Sequence, residues 1–290
     1  MTSVSEVVSD VLEAARTVLT RECDVAVIDT DTEVVHRARV ATRTVRSHLA
    51  TLRPLLDQDA VRPVTDDLRW PARCLGRVRD LDVLVASVHV RLETRDDPSD
   101  EATMPLLGRL DSIHRDRLED LRHVLAEPRF LGLLIVLRDA AADPPVRSAE
   151  IGRRKARALI PALAWGDWVR VDRPLRGRLP DDWTDPRLHE VRKRAKRARF
   201  AANLAHPLVD GSTPAFVTEM KRLLRPLGAL QDAVTARAWM RSISTDATTD
   251  EAFLAGVLAA GFDDDAALAR AGFLNAWDPR RIGKAGRWMR

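Results

Sequence analysis

A histidine and three fixed cations recur twice in this chain at the spacing of one helix face. The first segment reads V-H-R-A-R-V-A-T-R-T-V-R and places His36, Arg39, Arg43 and Arg46 at offsets 0, +3, +7 and +10. The second, about 150 residues later, reads L-H-E-V-R-K-R-A-K-R-A-R and places His189, Arg192, Lys196 and Arg199 at the same offsets. At about 100° per residue, these positions fall within roughly 80° of one another on an α-helix. Such a stripe, built twice, invites a polyanion.

The pattern extends beyond the stripes. About 40 residues after each histidine comes a second matched segment, L-G-R-V-R-D-L-D-V from Leu75 and L-G-A-L-Q-D-A-V from Leu227. In each, an aspartate (Asp80 or Asp232) follows the glycine by four positions, and two cations precede it: Arg69 and Arg73, or Lys221 and Arg225. One shared spacing arises by chance in an Arg-rich chain; two in the same order argue for an internal duplication, with halves 1–145 and 146–290. The copies differ in charge. Arg77 and Arg79 align with Ala229 and Gln231, while Val40 and Thr44 align with Lys193 and Arg197.

Apolar periodicity gives the fold class. Val34, Ala38, Ala41, Val45, Leu49, Leu52 and Leu56 form a face roughly opposite His36, so one side of that helix packs while the other presents cations. Helix formers dominate, tyrosine is absent and no strand pairing is visible. The periodicity predicts helices over 4–20, 32–56, 64–79 with a kink at Pro71, 81–92 capped by Asp80, 104–126 and 128–141. A loop is expected at 94–101. In the second half it predicts helices over 148–165, from Pro186 onward, 213–227, 230–242 and 251–276. An irregular stretch is expected at 166–186 and a loose basic tail at 280–290. The expected architecture is all-α: two antiparallel four-helix bundles related by a pseudo-two-fold axis around a basic central groove.

Composition narrows the function classes. A net charge of only +4 excludes a uniformly basic surface, yet seven Arg/Lys against the single acid Glu190 crowd residues 187–199. Charge segregated in this way makes a local positive field. The longest greasy run, 130–137, is far too short to span a bilayer. The first ten residues lack a secretory pattern, so a cytoplasmic protein without a membrane partner is expected. Cys23 and Cys74 have no metal spacing and are expected to be buried thiols. Neither a G-x-x-x-x-G-K loop nor a repeated acidic cluster is present, so no metal, cofactor or catalytic residue is expected. Asp80 and Asp232 are expected to cap helices or to orient neighbouring arginines. His114 with Arg115 and Arg117, and the run Arg153-Arg154-Lys155, are expected to face solvent.

The two stripes with their Leu-Gly partners resemble the signature of the conserved histidine α-helical domain (CHAD) family. The segments R-D-R-L-E-D-L-R and E-P-R-F-L-G-L-L are similar to that family's linking helices. The resemblance covers nearly the whole chain. It implies two four-helix bundles whose basic faces line a central groove, and binding of inorganic polyphosphate there, with polyphosphate granules as a place of association. The E-x-E-x-K strand of an accompanying triphosphate-processing domain is absent.

The expected polyphosphate contacts are His36, Arg39, Arg43, Arg46, Arg69, Arg73, Arg77 and Arg79 from the first copy. From the second they are His189, Arg192, Lys193, Lys196, Arg197, Arg199, Lys221 and Arg225. Arginine suits the task because its planar fork gives phosphate oxygens two hydrogen bonds and keeps its charge. The two histidines are expected either to donate to phosphate or to be satisfied by backbone carbonyls. Nucleic acid is the alternative partner, through phosphates alone, because the tryptophans do not interleave with the stripes apart from Trp70 beside Arg69. A phosphohydrolase ranks third.

Overall fold

The computed structural model describes residues 2–28, 32–93, 100–176, 184–209, 211, 213–243 and 247–290. Among these residues every element is helical, and β-pairing is confined to two isolated bridges, Ser3 with Lys155 and Leu56 with Val146. The all-α expectation therefore holds.

The first half contains α1 (Val4–Ile28), α2 (Thr32–Leu52), α3 (Gln58–Asp67), α4 (Arg69–Glu93), α5 (Asp100–Ala126) and α6 (Pro128–Ala142). The α1 helix covers the apolar face of α2, where Val34, Val35, Ala38, Val45 and Leu49 are buried. A short 3-10 turn (Arg53–Leu55) leads to Asp57, whose carboxylate accepts from the backbone N–H groups of Asp59 and Ala60 and starts α3. The predicted break at Asp80 does not occur, and α4 runs unbroken through it. Asp80 caps no helix; its carboxylate is engaged by an arginine of α2 instead. Pro71 lies in the first turn of α4, where no intrahelical N–H bond is needed, so the predicted kink is a helix start.

The second half contains α7 (Ala149–Arg153), α8 (Ile160–Asp172), α9 (Asp185–Ala205), α10 (Thr213–Ile243), α11 (Thr249–Ala276) and α12 (Pro279–Ala285). The predicted helix over 148–165 is interrupted because its backbone pairs with the chain start. Val4 N–H donates to the Arg154 carbonyl and Ala156 N–H to the Thr2 carbonyl, both at 3.0 Å. Part of the predicted irregular stretch is helix, since α8 reaches Asp172; its residues 177–183 lie outside the described residues. The helices predicted over 213–227 and 230–242 are one, α10, continuous through Pro226 and Gly228. The tail is packed: Ile282 of α12 is fully buried, and Trp288 and Met289 close on the core beyond it.

Three hydrophobic cores hold these helices. One joins α1, α2, α3 and α6 to the start of α4 and the end of α5. A second joins α8, α9 and α12 to the near parts of α10 and α11. The third, with Leu84, Val88 and Leu106 against Met240, Leu254 and Phe262, is shared by the far ends of α4, α5, α10 and α11. The third core thus fastens the halves together at one end, while the first core takes in Ile160, Leu204 and Ala205 of the second half and brings α2 into contact with α9.

A cationic cleft between the stripe helices

The two stripe helices meet directly. His48 of α2 lies edge-on to Phe200 of α9 with ring centroids 6.3 Å apart, and Arg197 of α9 donates to the carbonyl of Ala50. Burial of His48 at this contact depresses its pKa to about 4, partly offset by its hydrogen bond to the Phe200 backbone. Beside this contact opens a cleft of about 1200 Å³, walled by α2, α3 and α4 on one side and α9 and α10 on the other.

Seven of the eight stripe residues line it: His36, Arg39, Arg43 and Arg46, and His189, Arg192 and Lys196. Arg199 does not, but it acts on Arg43 electrostatically and its guanidinium lies 5.1 Å from the Phe200 ring centroid. Of the other expected contacts, Arg69, Arg79, Lys193 and Arg197 line the cleft. Arg73, Arg77, Lys221 and Arg225 are exposed on α4 and α10 outside its lining. Arg73 still lies close enough to Arg46 to help depress its pKa. At about 100° per residue, Arg73 falls between Arg69 and Leu84 on the α4 wheel, and Lys221 and Arg225 fall between Gln231 and Ala236 on the α10 wheel, so helix periodicity alone does not separate them from the lining residues.

The Leu-Gly segments serve the stripes. Arg39 donates through Nη1 to the Gly76 carbonyl at 2.6 Å, and its Nη2 is 3.0 Å from the Asp80 carboxylate one turn on. Arg192 occupies a corresponding place: a Cβ on Gly228 would lie 3.9 Å from its Nη2, and Asp232 acts on it electrostatically. The glycines give a guanidinium room against the helix, and in the first copy Asp80 pairs with it.

The other polar groups are held in different ways. His189 donates through Nδ1 to the Gln231 side-chain oxygen, while the Gln231 amide donates to Thr235 at 3.1 Å. This leaves Nε2 of His189 for a further partner. Arg79 pairs with Asp82 at 3.5 Å, and Asp82 is also 2.7 Å from His114 Nε2; His114 is thus half-buried against a carboxylate rather than facing solvent. Lys193 pairs with Glu190 on its own helix. Arg197 belongs to a buried cluster: Asp167, 2 % exposed, accepts from Thr51 at 2.6 Å and pairs with Arg197 at 2.8 Å and Arg170 at 2.6 Å. That cluster ties α2, α8 and α9 together.

Sequence reasoning missed Arg53, Gln58, Arg62 and Thr65, which extend the cleft along α3. A signal for Arg53 exists: it stands at offset +17 from His36, close to the angular position of Arg46.

Electrostatics single out the middle of the cleft. Burial lowers Lys196 to a pKa of about 7, reinforced by Arg192, Arg43 and Arg39 and opposed by Asp232. Burial and the neighbouring Arg39, Arg192 and Arg199 lower Arg43 to about 10. Arg46, Arg192 and Arg199 are shifted down as well, each chiefly by burial. Cations crowded together without enough carboxylates disfavour their own charged forms, and an arriving anion relieves that penalty.

The family comparison gives this arrangement a context. The CHAD domain profile matches residues 10–241. The chain belongs to the CHAD family. Its fold is shared with two solved structures. PptA from Streptomyces chartreusis has a TM-score of 0.74 and 19% identity, over 95% of this chain and 99% of that one. The CHAD domain from the plant Ricinus communis has a TM-score of 0.72 and 22% identity, over 94% of this chain and 92% of that one. No curated protein matches this CHAD chain. Among the described residues, no helix is long and apolar enough to cross a membrane.

Proposed function

We propose that this CHAD protein binds inorganic polyphosphate in the cleft without consuming it. Family membership supports a polyphosphate-related role. The observation that carries the reading is the crowding of Arg43, Lys196, Arg192 and Arg46 from two walls, with depressed pKa values in each case. A phosphate polymer supplies closely spaced charges that satisfy all four at once, and its affinity comes largely from release of counterions. Phe200 is the cleft's aromatic residue besides the two histidines, and it is buried. Bases would find no stacking platform there, which favours a bare phosphate chain over single-stranded nucleic acid.

Calorimetry with long-chain polyphosphate and with DNA and RNA of matched charge, at several salt concentrations, tests this. Polyphosphate is expected to bind tightest, with affinity falling as salt rises. Equal or tighter binding of DNA would transfer the site to nucleic acid. Shortening of the polyphosphate on a gel in the presence of Mg²⁺ or Mn²⁺ would make the protein an enzyme.

A further inference from the structure

Residues 147–157 read R-S-A-E-I-G-R-R-K-A-R, five cations against the single acid Glu150. Arg147, Arg153, Arg154, Lys155 and Arg157 are all exposed, and none has an ion-pair partner among the described residues. A charged run of this kind is often plain solvated surface. Two features set this one apart.

The first is its rigidity. The backbone around Arg154 and Lys155 is clamped to the chain start by the Val4 and Ala156 hydrogen bonds and by the bridge between Ser3 and Lys155. Ala156 is fully buried, and a Cβ on Gly152 would collide with the Ser5 hydroxyl. These cations therefore stand on a fixed support, which lowers the ordering entropy a ligand must overcome.

The second is that its start is joined to a segment beside the cleft lining. Arg147 N–H donates to the Leu55 carbonyl at 2.9 Å, Asp57 N–H donates to the Pro145 carbonyl at 3.0 Å, and Leu56 bridges Val146. Residues in this neighbourhood line the cleft, with Arg53 and Arg62 exposed in its lining. The carboxylates there are already occupied, Asp57 by the α3 backbone and Asp59 by Arg62 at 3.6 Å. Cations thus continue from the centre at Arg43, past Arg46, to Arg53 and on to Arg147.

From this continuity we infer that Arg147, Arg153, Arg154, Lys155 and Arg157 form an exit track for the part of a phosphate polymer too long for the cleft. The inference rests on the cleft being the primary polyphosphate site, and it makes the protein selective for long chains. Each additional phosphate contact adds counterion release, and a chain already held in the cleft meets the track at high effective concentration.

The test uses the full chain with tripolyphosphate and with long-chain polyphosphate as probes. Arg147→Glu/Arg153→Glu/Arg154→Glu/Lys155→Glu is expected to bind tripolyphosphate like the wild type and to lose about tenfold or more in affinity for the long chain. Its salt dependence for the long chain should flatten by several contacts. A matching set of glutamine substitutions, with thermal melting unchanged, separates lost charge from lost fold. Unchanged long-chain affinity in both sets would reduce the run to solvated surface. Arg43→Glu provides the separate control: if it leaves both probes bound as before, the cleft reading fails whatever the track does.

Discussion

Arg39 reaches across from α2 to donate to the carbonyl of Gly76 on α4 at 2.6 Å, and a Cβ on that glycine would stand 3.4 Å from the same nitrogen. The glycine therefore keeps room for a guanidinium in mid-helix, at a position where alanine would favour the helix by about 1 kcal/mol. Gly76→Ala is expected to stabilise the protein by up to that amount and to leave binding nearly intact, since the arginine need give only slightly. Gly76→Leu is expected to evict Arg39 and to weaken polyphosphate binding, read by thermal melting and calorimetry together. Full binding by the leucine variant would show that Arg39 needs no such seat.

Lys196 makes the site sensitive to pH. Burial pushes its ammonium down to about 7 in the fold, from an ordinary lysine value of 10.5. Between those values the unfolded chain holds more protons, so its contribution to stability rises as pH climbs from about 7 towards 10.5. Binding runs the other way. A polyanion raises the Lys196 pKa, so above pH 7 binding takes up a proton, and affinity falls as pH rises through that window. Calorimetry in two buffers of different ionisation enthalpy measures the uptake directly. Lys196→Arg, with its charge fixed, should abolish most of it; identical proton uptake in this variant would place the titrating group elsewhere.

The parts of the site that sequence made legible are those set by local geometry. A helix turns by a fixed angle, so His36, Arg39, Arg43 and Arg46 had to share a face whatever the rest of the chain did. The errors come from long-range satisfaction of polar groups. Asp80 is expected either to cap a helix or to orient an arginine; α4 runs through it, and it pairs with Arg39, a partner remote in sequence. Arg197 lines the cleft as expected, but its tie to Asp167 and the Ala50 carbonyl is not legible, because both partners are remote in sequence. The third core was equally hidden, since the pairing of Leu84 and Val88 with Met240 and Leu254 depends on how two long hairpins cross.

Arg43 and Arg197 should respond to neutralisation in opposite ways. Arg197→Met removes a partner of the buried Asp167, leaving Arg170 and Thr51, and is expected to destabilise by about 1–3 kcal/mol. Arg43→Met removes a half-buried cation surrounded by other cations, so its melting temperature should rise while polyphosphate affinity drops. Melting curves with and without polyphosphate compare the two. A stability loss in Arg43→Met as large as that in Arg197→Met would mean that Arg43 has a structural partner in solution.

The last expectation concerns whether the two walls act as one site. Arg43→Glu and Lys196→Glu each reverse a charge on one wall, α2 or α9, without touching the buried Thr51–Asp167–Arg197 cluster. A polymer lying between the walls contacts both, so either reversal is expected to weaken long-chain binding by about tenfold or more and to flatten its salt dependence by roughly one contact or more. Arg16→Glu is the control: Arg16 pairs with Glu13 on α1 at 2.8 Å, outside the cleft lining, and its reversal should change stability little and leave affinity near the wild-type value. If only one wall's reversal matters, the polymer runs along a single helix face, and the facing arrangement of α2 and α9 serves packing rather than binding.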